Sequence, residues 1–362
     1  MSGKNQHFIP QFLQRGFSIS ELNGKAFANN VKSKRKKEDQ IWVFESGRKP
    51  YLTNVRNKGA ERFFYGLENS ALDTSITKAE HQYAKLVNRL RTHTSDALVH
   101  EPVIPELVVH LFVRTKNLRN SIKDASQLCI DMVQNNLRES SDFENFIIKY
   151  LDENPDFFEK EIKDKFTLSQ QKAIRQYISD HPHIISQFLR NSISELHPIM
   201  LNSLEFVQSE LPDMIKEAHI KSLSDSIAPQ ERVEKLRSLR WSVNIAPIGS
   251  YILGDAGSLH ITSENRYEAL LTAENNFNFD NVLLPISSQH LLIGSIDSQI
   301  GKLDMEAVNE ASAATSQEFF IASQKTEREV KYAQQIGTNN SILSDEKLFR
   351  LESEIRKEWF SN

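Results

Sequence analysis

The N-terminal segment 6–17 contains the first side chains that could do chemistry. It reads QHFIPQFLQRGF and combines large apolar residues with His7 and other hydrogen-bonding side chains. An imidazole with an ordinary pKa of ~6.5 can give or take a proton near neutral pH and can also bind a metal. His7 is therefore a candidate acid, base or ligand. The alternative is a histidine that binds backbone carbonyls and pins the segment to the core, since no second ligand lies at metal-binding spacing.

Two carboxylates occupy positions from which they could reach a site. Asp255 closes the β-rich run SYILGD, where a strand-end carboxylate suits a metal ligand or a general base. The same residue type also accepts hydrogen bonds from the backbone that follows it in an Asx-turn. Glu61, in AERFFYG, either orients Tyr65 or an N-terminal histidine, or lies at the surface near a helix start.

Two charges interrupt apolar helical faces. Arg114 lies between Leu111 and Leu118, and Glu80 lies between Ile76 and Tyr83. Because an unpartnered buried charge costs several kcal/mol, we expect Arg114 to meet either Glu80 or Asp255 in the interior. Such a pair could be a structural bridge or part of a site.

A basic run near the N-terminus is the candidate nucleic-acid contact. Its members are Lys32, Lys34, Arg35, Lys36 and Lys37, and they could neutralise phosphates. A solvated surface loop has the same composition. With a formal net charge of -4, the chain as a whole lacks the positive field that binds nucleic acid nonspecifically.

Composition narrows the class of protein. The chain has 362 residues, 39% of them hydrophobic and 25% charged, which is typical of a soluble globular protein with a large core. No apolar run approaches the ~20 residues that cross a bilayer, and the N-terminus has no signal-peptide pattern, so we expect a cytoplasmic protein that does not bind membranes. Cys129 is the only cysteine, which excludes a disulfide framework within one chain.

The pattern in the N-terminal part predicts a hairpin followed by helices. Residues 40–53 contain two short apolar stretches around Gly47 and Pro50, which favours a β-hairpin. Residues 71–92 and 102–137 carry apolar side chains at helical spacing, which predicts two core-facing helices.

The remaining chain predicts short helices, then strands, then helix. Prolines divide residues 140–240 into helix-length pieces; they are Pro155, Pro182, Pro198, Pro212 and Pro229. From Trp241 onward, WSVNIAPI, SYILGD, NVLLPIS and HLLIGS are β-rich. From Leu303 the pattern through Val308 and Phe319–Ile321 predicts helix, and a last helix holds Leu348, Leu351, Ile355 and Trp359.

These elements predict an α+β fold that is mostly helical, with an N-terminal hairpin and a small, mostly antiparallel sheet in the C-terminal third. We divide the chain into four segments. Residues 1–139 hold the N-terminal motif, hairpin and core helices, and residues 140–240 form a variable helical region. Residues 241–335 form the sheet with a helix that packs back on the N-terminal part, and residues 336–362 form a helical tail.

The sequence resembles one known family. QHFIPQFLQRGF, IWVF, NVRNKGAERFFYGLE and YILGDAG followed by LLPIS and LLIGS are similar to the landmarks of the domain of unknown function 4238 (DUF4238) family, from residue 5 to about 322. Family members often continue the strand-end Asp as Asp-Asn-Pro, whereas Ala256 and Gly257 follow Asp255 here, so no role is carried over to those positions. The family has no assigned reaction, but some members are similar to single-gene bacterial anti-phage systems. The resemblance therefore implies a defence role.

Because the resemblance implies a defence role, nuclease motifs in the sequence are relevant. The Arg-x(4–6)-His pattern of HEPN ribonucleases occurs as Arg175 to His181 and as Arg190 to His197, although about two such matches are expected by chance. Pro182 follows the first histidine, which predicts a helix end there, and Pro198 predicts the same after the second. The chain has no P-loop, GxGxxG, HExxH or GxSxG motif, which disfavours ATP hydrolysis, zinc proteolysis and serine-hydrolase chemistry.

Two functions remain open. The first is an anti-phage effector, most plausibly a nuclease acting on RNA or DNA, in which carboxylates hold a divalent cation such as Mg²⁺, Arg114 stabilises phosphate charge and His7 transfers a proton. Its catalytic cluster is predicted to be His7, Glu61, Glu80, Arg114 and Asp255. The second is a noncatalytic sensor whose middle helical region binds a phage component, while the same cluster only holds the N-terminal segment in place.

Overall fold

The chain is described here by a computed structural model. The residues described are 4–19, 39–154, 162–163, 165–246, 250–270, 279–296, 303–340, 350 and 353–354. The basic run Lys32, Lys34, Arg35, Lys36 and Lys37 lies outside these ranges, as does most of the predicted C-terminal helix. The structure therefore does not test either of those predictions.

The described helices are α1 (Gln11–Gln14), α2 (Ala71–Leu90), α3 (Ile104–Val113), α4 (Lys116–Asn136), α5 (Ser140–Glu153), α6 (Leu168–Asp180), α7 (Pro182–Asp225), α8 (Gln230–Arg237), α9 (Met305–Ala314) and α10 (Glu327–Ala333). The described strands are β1 (Asn5–His7), β2 (Gln40–Glu45), β3 (Tyr51–Asn54), β4 (Ala60–Arg62), β5 (Ala97–Val99), β6 (Arg240–Ile245), β7 (Leu253–Gly254), β8 (Leu259–Thr262), β9 (Tyr267–Ala269), β10 (Phe279–Pro285), β11 (His290–Ser295) and β12 (Phe319–Ala322). This mixture confirms the α+β class. None of the described helices is both long and apolar enough to cross a membrane.

The chain forms two compact units. The first contains residues 1–122 and 215–342, and the second contains residues 123–214 and 343–362. The predicted segments 1–139 and 241–335 fall largely in the first unit. The predicted middle segment 140–240 is divided, because its residues from Ile215 onward belong to the first unit.

The described strands of the first unit form three antiparallel sheets. The largest has the strand order β5-β6-β11-β10-β8-β9, the second has the order β3-β2-β12-β7, and β1 pairs with β4 alone. Both larger sheets combine strands from the N-terminal and C-terminal parts of the sequence. The N-terminal hairpin β2–β3 is thus part of a sheet whose other strands lie about 200 residues or more later in the sequence.

Continuous apolar runs explain the central strands. Leu283 and Leu284 in β10 and Leu291 to Ile293 in β11 are fully buried. A strand covered on both faces has no polar positions to alternate with, which is why these runs are uninterrupted. Helix α3 is buried on every side for the same reason.

The predicted helix 102–137 is wrong as a single element, because it divides into α3 and α4 at Arg114 and Thr115. The Thr115 hydroxyl accepts a hydrogen bond from the backbone N–H of Leu118 at 3.2 Å. A threonine that caps a new helix in this way competes with continuation of the preceding one.

The predicted helix through Phe319 to Ile321 is also wrong, because these residues form β12 between β2 and β7. All four residues of the run FFIA are buried. A short buried apolar run has no periodicity that separates helix from strand, so its neighbours in the sheet decide the outcome.

The prediction of short helices bounded by proline is wrong for part of the middle region. Helix α7 continues through Pro198 and Pro212 for 44 residues. Each proline removes one backbone donor, and a helix of this length keeps its remaining bonds on either side. His197 consequently lies inside a helix, whereas His181 lies between α6 and α7 as predicted.

Helices form the described part of the second unit. A small apolar cluster there contains Leu137, Phe143 and Ile193. His197 bonds the carbonyl of Leu137 through Nε2 at 2.8 Å, and His181 bonds the carbonyl of Tyr177 through Nδ1 at 3.1 Å. Both candidate ribonuclease histidines therefore have a ring nitrogen bound to backbone.

Candidate functional site

Hydrogen bonds hold the N-terminal segment 6–17 against residues 58 and 59. The N–H of Ile9 donates to the carbonyl of Gly59 at 3.1 Å, and the side-chain amide of Gln14 donates to the carbonyls of Ile9 and Lys58 at 2.7 and 3.0 Å. These bonds extend the pairing of β1 with β4. The segment is pinned as the sequence indicated.

Gln6 fixes the start of the segment against α2. Its buried side chain accepts from the N–H of Tyr65 at 2.6 Å and donates to Asp73 at 3.4 Å. Asp73 in turn accepts from the N–H of Asn69 at 3.1 Å, and Ser70 caps α2 by accepting from the N–H of Asp73. The first turn of α2 is thereby aligned with β1.

Arg91 fastens the other end of the segment. Its guanidinium donates to the carbonyls of Phe12, Leu13 and Ile286. A methyl group at Gly16 would collide with the Arg91 guanidinium and the Ile286 carbonyl. Glycine is therefore required at position 16 by close packing.

Arg114 is the centre of the polar cluster. It is 1% exposed, and its Nη1 lies 2.6 Å from a carboxylate oxygen of Glu80. Its Nε donates to the Tyr65 hydroxyl at 2.7 Å, and its Nη2 donates to the carbonyl of His7. The Tyr65 hydroxyl also donates to that carbonyl at 3.1 Å. Of the two expected pairings, Arg114 forms the one with Glu80 and not the one with Asp255.

His110 completes this cluster and was not singled out from the sequence. Its Nε2 lies 2.8 Å from Nη1 of Arg114, and its Nδ1 lies 3.1 Å from the carbonyl of Ile227. Since arginine can only donate, Nε2 accepts and Nδ1 carries the hydrogen. Burial, and then the charge of Arg114, lower the pKa of His110 well below its usual value, so the ring is neutral.

A second buried arginine and histidine repeat this arrangement nearby in the sequence. Arg119 donates to Nδ1 of His219 at 3.2 Å and to the carbonyl of Phe64 at 2.8 Å, and it lies over the Phe64 ring. His219 donates from Nε2 to the carbonyl of Val113 at 2.7 Å. Burial lowers the pKa of His219 to about 4. Both pairs tie helices to the loop 63–66.

One wall of the cluster opens into a pocket of about 380 Å³. Residues from α2 form one side, and residues from β1, α1 and the turn after it form the other. The residues that line it are His7, Gln11, Phe12, Arg15, Thr77, Glu80, His81, Ala84, Lys85 and Asn88. Its volume lies within the range of small-molecule sites.

The charge around the pocket is positive on balance. Arg15, Lys85 and Arg114 supply three cations against the two carboxylates of Glu80 and Asp39, of which Asp39 lies 3.5 Å from Arg15. Because Glu80 is already paired with Arg114, the pocket wall offers positive charge to an incoming anion.

His7 is the only histidine of the predicted cluster, and its ring reaches the pocket. Its Nε2 lies 2.9 Å from the side-chain nitrogen of Gln11. Its Nδ1 is buried and makes no hydrogen bond of acceptable geometry in the described structure, although the backbone of Lys58 lies near it. Burial, followed by the charge of Arg114, lowers the pKa of His7 to about 4. At neutral pH the ring is uncharged and can accept a proton.

Asp255 lies apart from this pocket. Its carboxylate is buried and accepts from the N–H groups of Gln317, Glu318 and Phe319 at 2.8, 2.7 and 3.1 Å. Burial raises the pKa of Asp255 to about 6, and the three N–H groups hold it from rising further. Its hydrogen-bond partners are therefore the backbone groups that lead into β12 and not those of its own turn.

Glu61 also points elsewhere. It lies 3.8 Å from Lys116, which pairs more closely with Glu318 at 2.7 Å, and its side chain is partly exposed. Tyr65, which Glu61 was a candidate to orient, is held by Arg114 instead. The structure thus brings together His7, Glu80 and Arg114, and leaves Glu61 and Asp255 in other contacts.

The donor set for a divalent cation is weak. Within the described ranges, no group of three or more His, Cys, Asp or Glu side chains is placed to hold a metal ion. The carboxylate of Asp255 is buried and accepts from three backbone N–H groups, and one oxygen of Glu80 is paired with Arg114.

Two pocket residues, His81 and Lys85, were missed in the sequence. Together with Thr77, Glu80 and Asn88 they recur at steps of three and four, which places them on one face of α2. That polar stripe beside Glu80 was a signal available from the sequence. What the sequence did not show is that segment 7–15 faces it.

Comparison with known proteins gives one family. The sequence profile of the family described as "Protein of unknown function (DUF4238)" matches residues 5–334. Neither the curated proteins nor the solved structures include a match.

Proposed function

We propose that this chain, which belongs to the DUF4238 family, is an effector of bacterial anti-phage defence that cleaves RNA at the pocket beside its N-terminal segment. The defence role rests on the resemblance of some family members to single-gene anti-phage systems. The reaction rests on one observation, which is that His7, His81 and Lys85 line one pocket backed by a buried arginine.

The pocket favours a phosphodiester as ligand. Arg15, Lys85 and Glu80 line it, and Glu80 is paired with the buried guanidinium of Arg114. A phosphate group would restore charge balance to a site with one excess positive charge. Gln11 and Asn88 add side-chain amides that can donate to phosphate or sugar oxygens.

RNA is favoured over DNA because, within the described residues, no group of three or more metal-binding side chains is placed to hold a cation that could activate water. Without a ready set of metal ligands, the chemistry needs a nucleophile that the substrate carries, and the ribose 2′-hydroxyl is one. In the proposed step His7 takes the proton of the 2′-hydroxyl, the 2′-oxygen bonds to phosphorus, and the bond from phosphorus to the 5′-oxygen breaks. His81 gives a proton to the departing 5′-oxygen, which leaves a 2′,3′-cyclic phosphate and a 5′-hydroxyl end.

Electrostatics support His7 as the proton acceptor. Its low pKa keeps it unprotonated at neutral pH, and an anionic phosphate beside the ring would raise that pKa. The side-chain amide of Gln11 donates to Nε2 and so orients the ring, and the 2′-hydroxyl of the substrate must displace it from that nitrogen before His7 takes the proton. Arg114 is buried, so it acts on the pocket through its charge and through the carbonyl of His7.

The test is cleavage of a fluorescently labelled, 20-nucleotide single-stranded RNA by the full-length chain in buffer with EDTA. We expect cleavage with cyclic phosphate ends, identified by mass spectrometry. His7→Ala and His81→Ala should each lower the rate by about 10²-fold, as loss of an acid or base does. Lys78→Ala, on the exposed side of α2 and outside the pocket, should cleave normally.

RNA left intact by the wild-type chain contradicts the proposal. Cleavage at the wild-type rate by His81→Ala also contradicts it, and this variant tests the idea even if His7→Ala fails to fold, because His81 is exposed.

A second candidate is a noncatalytic sensor that binds a phage component. The observation in its favour is that Arg114 and Asp255 are both used to hold other parts of the protein, the first at His7 and Glu80 and the second at 317–319. In this reading the cluster is a clamp. Protection against phage that survives in His81→Ala and Lys85→Ala would favour the sensor.

A further inference from the structure

Helix α7 carries large apolar side chains that face solvent. Five of them lie between residues 196 and 214, in the second unit. They are Leu196 at 49% exposure, Ile199 at 59%, Phe206 at 66%, Val207 at 37% and Met214 at 52%. Single exposed apolar residues are common at protein surfaces, but a continuous patch indicates an interaction site.

The five residues share one face of the helix. At about 100° per residue they fall within a sector of about 100°, and at 1.5 Å per residue they extend over about 27 Å. By the same spacing, Pro198 and Pro212 fall on the opposite side of the helix, whereas Ser203 and Glu210 fall within the sector between the apolar residues. We call these five residues the apolar stripe.

The stripe is separate from the face that α7 uses for its own packing. Ile193 and Leu211 are buried, and both lie beyond one edge of the stripe. The apolar surface of α7 is therefore wider than its own unit covers.

The charged side chains along this part of α7 are all acidic. Residues 191–214 contain Glu195, Glu205, Glu210 and Asp213 and no lysine or arginine. Glu210 falls within the sector of the stripe, and Glu195 and Asp213 fall at its edge, whereas Glu205 lies on the far side.

We propose that the stripe is the docking site for a basic amphipathic helix of another protein. Apolar side chains of such a helix would cover the stripe, and its lysines or arginines would pair with Glu195, Glu210 and Asp213. A second copy of this chain fits less well, since two copies of α7 would bring acidic residues together.

The test uses two synthetic helical peptides of 21 residues with leucine on one face. The first has lysine and alanine on its remaining positions, and the second has glutamate in place of lysine. Fluorescence anisotropy of each labelled peptide, titrated with the full-length chain at physiological salt, measures binding. We expect the lysine peptide to bind and the glutamate peptide not to bind.

Two matched charge reversals locate the contact. Glu210→Lys should weaken binding of the lysine peptide by about tenfold, because it places a like charge against the peptide. Glu205→Lys makes the same change in net charge on the opposite face and should leave binding unchanged. Ile199→Gln combined with Phe206→Gln should also abolish binding, and both positions are exposed, so the fold is kept.

Three results would overturn the proposal. They are no binding of the lysine peptide, equal weakening by Glu205→Lys and Glu210→Lys, and a dimer in sedimentation that Ile199→Gln with Phe206→Gln converts to monomer. The proposal does not depend on RNA cleavage, since His81→Ala should bind the lysine peptide as wild type does.

Discussion

Arg114 contacts four groups from four parts of the chain. Glu80 is in α2, His110 is in α3, Tyr65 follows β4, and the carbonyl of His7 ends β1. A fully buried guanidinium has no water to replace a lost partner, so each of these groups depends on the others. Through these contacts Arg114 holds Glu80 and His7 in position at the pocket wall.

Replacement of Arg114 should be costly. Arg114→Ala leaves the Glu80 carboxylate without its partner and the Tyr65 hydroxyl without a donor, so we expect the free energy of unfolding to fall by about 3–5 kcal/mol. Arg89→Ala is the matched control, because Arg89 pairs with Glu101 at 2.7 Å while largely exposed, and its loss should cost about 1 kcal/mol or less. Urea denaturation measures both. Equal losses would mean that Arg114 does not hold the cluster.

Buried neutral histidines make stability depend on pH. Burial lowers the pKa of His7 and that of His219 to about 4, and it lowers the pKa of His110 well below its usual value. Between about pH 4 and 6.5 the unfolded chain therefore binds more protons than the folded one. Asp255 acts in the opposite sense, because its pKa is raised to about 6 and the folded state binds the extra proton. Because three histidines gain protons on unfolding and one aspartate loses a proton, the net effect is proton uptake on unfolding.

We therefore expect the free energy of unfolding to decrease as the pH falls from 7 to 5. His219→Gln should reduce this dependence, since the glutamine cannot titrate. The histidine contributes a loss of about 2 kcal/mol over this pH range. Thermal or urea unfolding at several pH values provides the measurement. A chain that becomes more stable on acidification would show that these rings are protonated in the folded state.

At the scale of elements, the pocket is made where α2 meets the segment 6–17. Ser70 and Asp73 begin α2 at a fixed position, and Gln6 reaches the same turn. Helical spacing then carries Glu80, His81 and Lys85 to the pocket wall. The capped first turn of α2 therefore determines where the candidate catalytic side chains on this helix lie.

Strand β12 depends on Asp255 in a comparable way. Asp255→Asn keeps one acceptor oxygen but turns an NH₂ group toward backbone N–H donors, so buried donors lose their partner and we expect a loss of about 3 kcal/mol. Differential scanning calorimetry of the variant should show the lower stability. If the variant melts with wild type yet fails in RNA cleavage, Asp255 has a chemical role rather than the structural one.

Elements with a regular pattern could be predicted from the sequence, and those decided by distant partners could not. Helix α2 has both a capping serine and apolar spacing. Two charges on apolar faces make the pairing of its Glu80 with Arg114 one of the two that we expect from the sequence. The run Phe319–Ala322 has no such period, and its place between β2 and β7 comes from segments far away in sequence.

The same distinction holds for the site. The capacity of His7 for acid–base chemistry can be recognised from its residue type and its apolar neighbours. Its low pKa cannot, because it comes first from burial and then from the charge of Arg114, which lies 107 residues away. Asp255 could not be assigned because the N–H groups that surround it are 62–64 residues later. Sequence spacing has no information on such contacts.

At the scale of the whole molecule, the two candidate functional surfaces lie in different units. The family match covers residues 5–334 and so includes both the pocket and helix α7. If the pocket cleaves RNA and helix α7 binds a partner, the two proposed functions belong to different units of one chain.

Phage plaquing on cells that express the wild type, His81→Ala, Lys85→Ala or Lys78→Ala, with soluble protein level and melting temperature checked for each, tests the central claim most directly. All three substitutions fall on exposed positions of α2, and only the first two line the pocket. The account predicts that wild type and Lys78→Ala reduce plaque numbers, and that folded His81→Ala and Lys85→Ala lose protection. Protection that is equal in all four strains would contradict the claim that this pocket is the functional site.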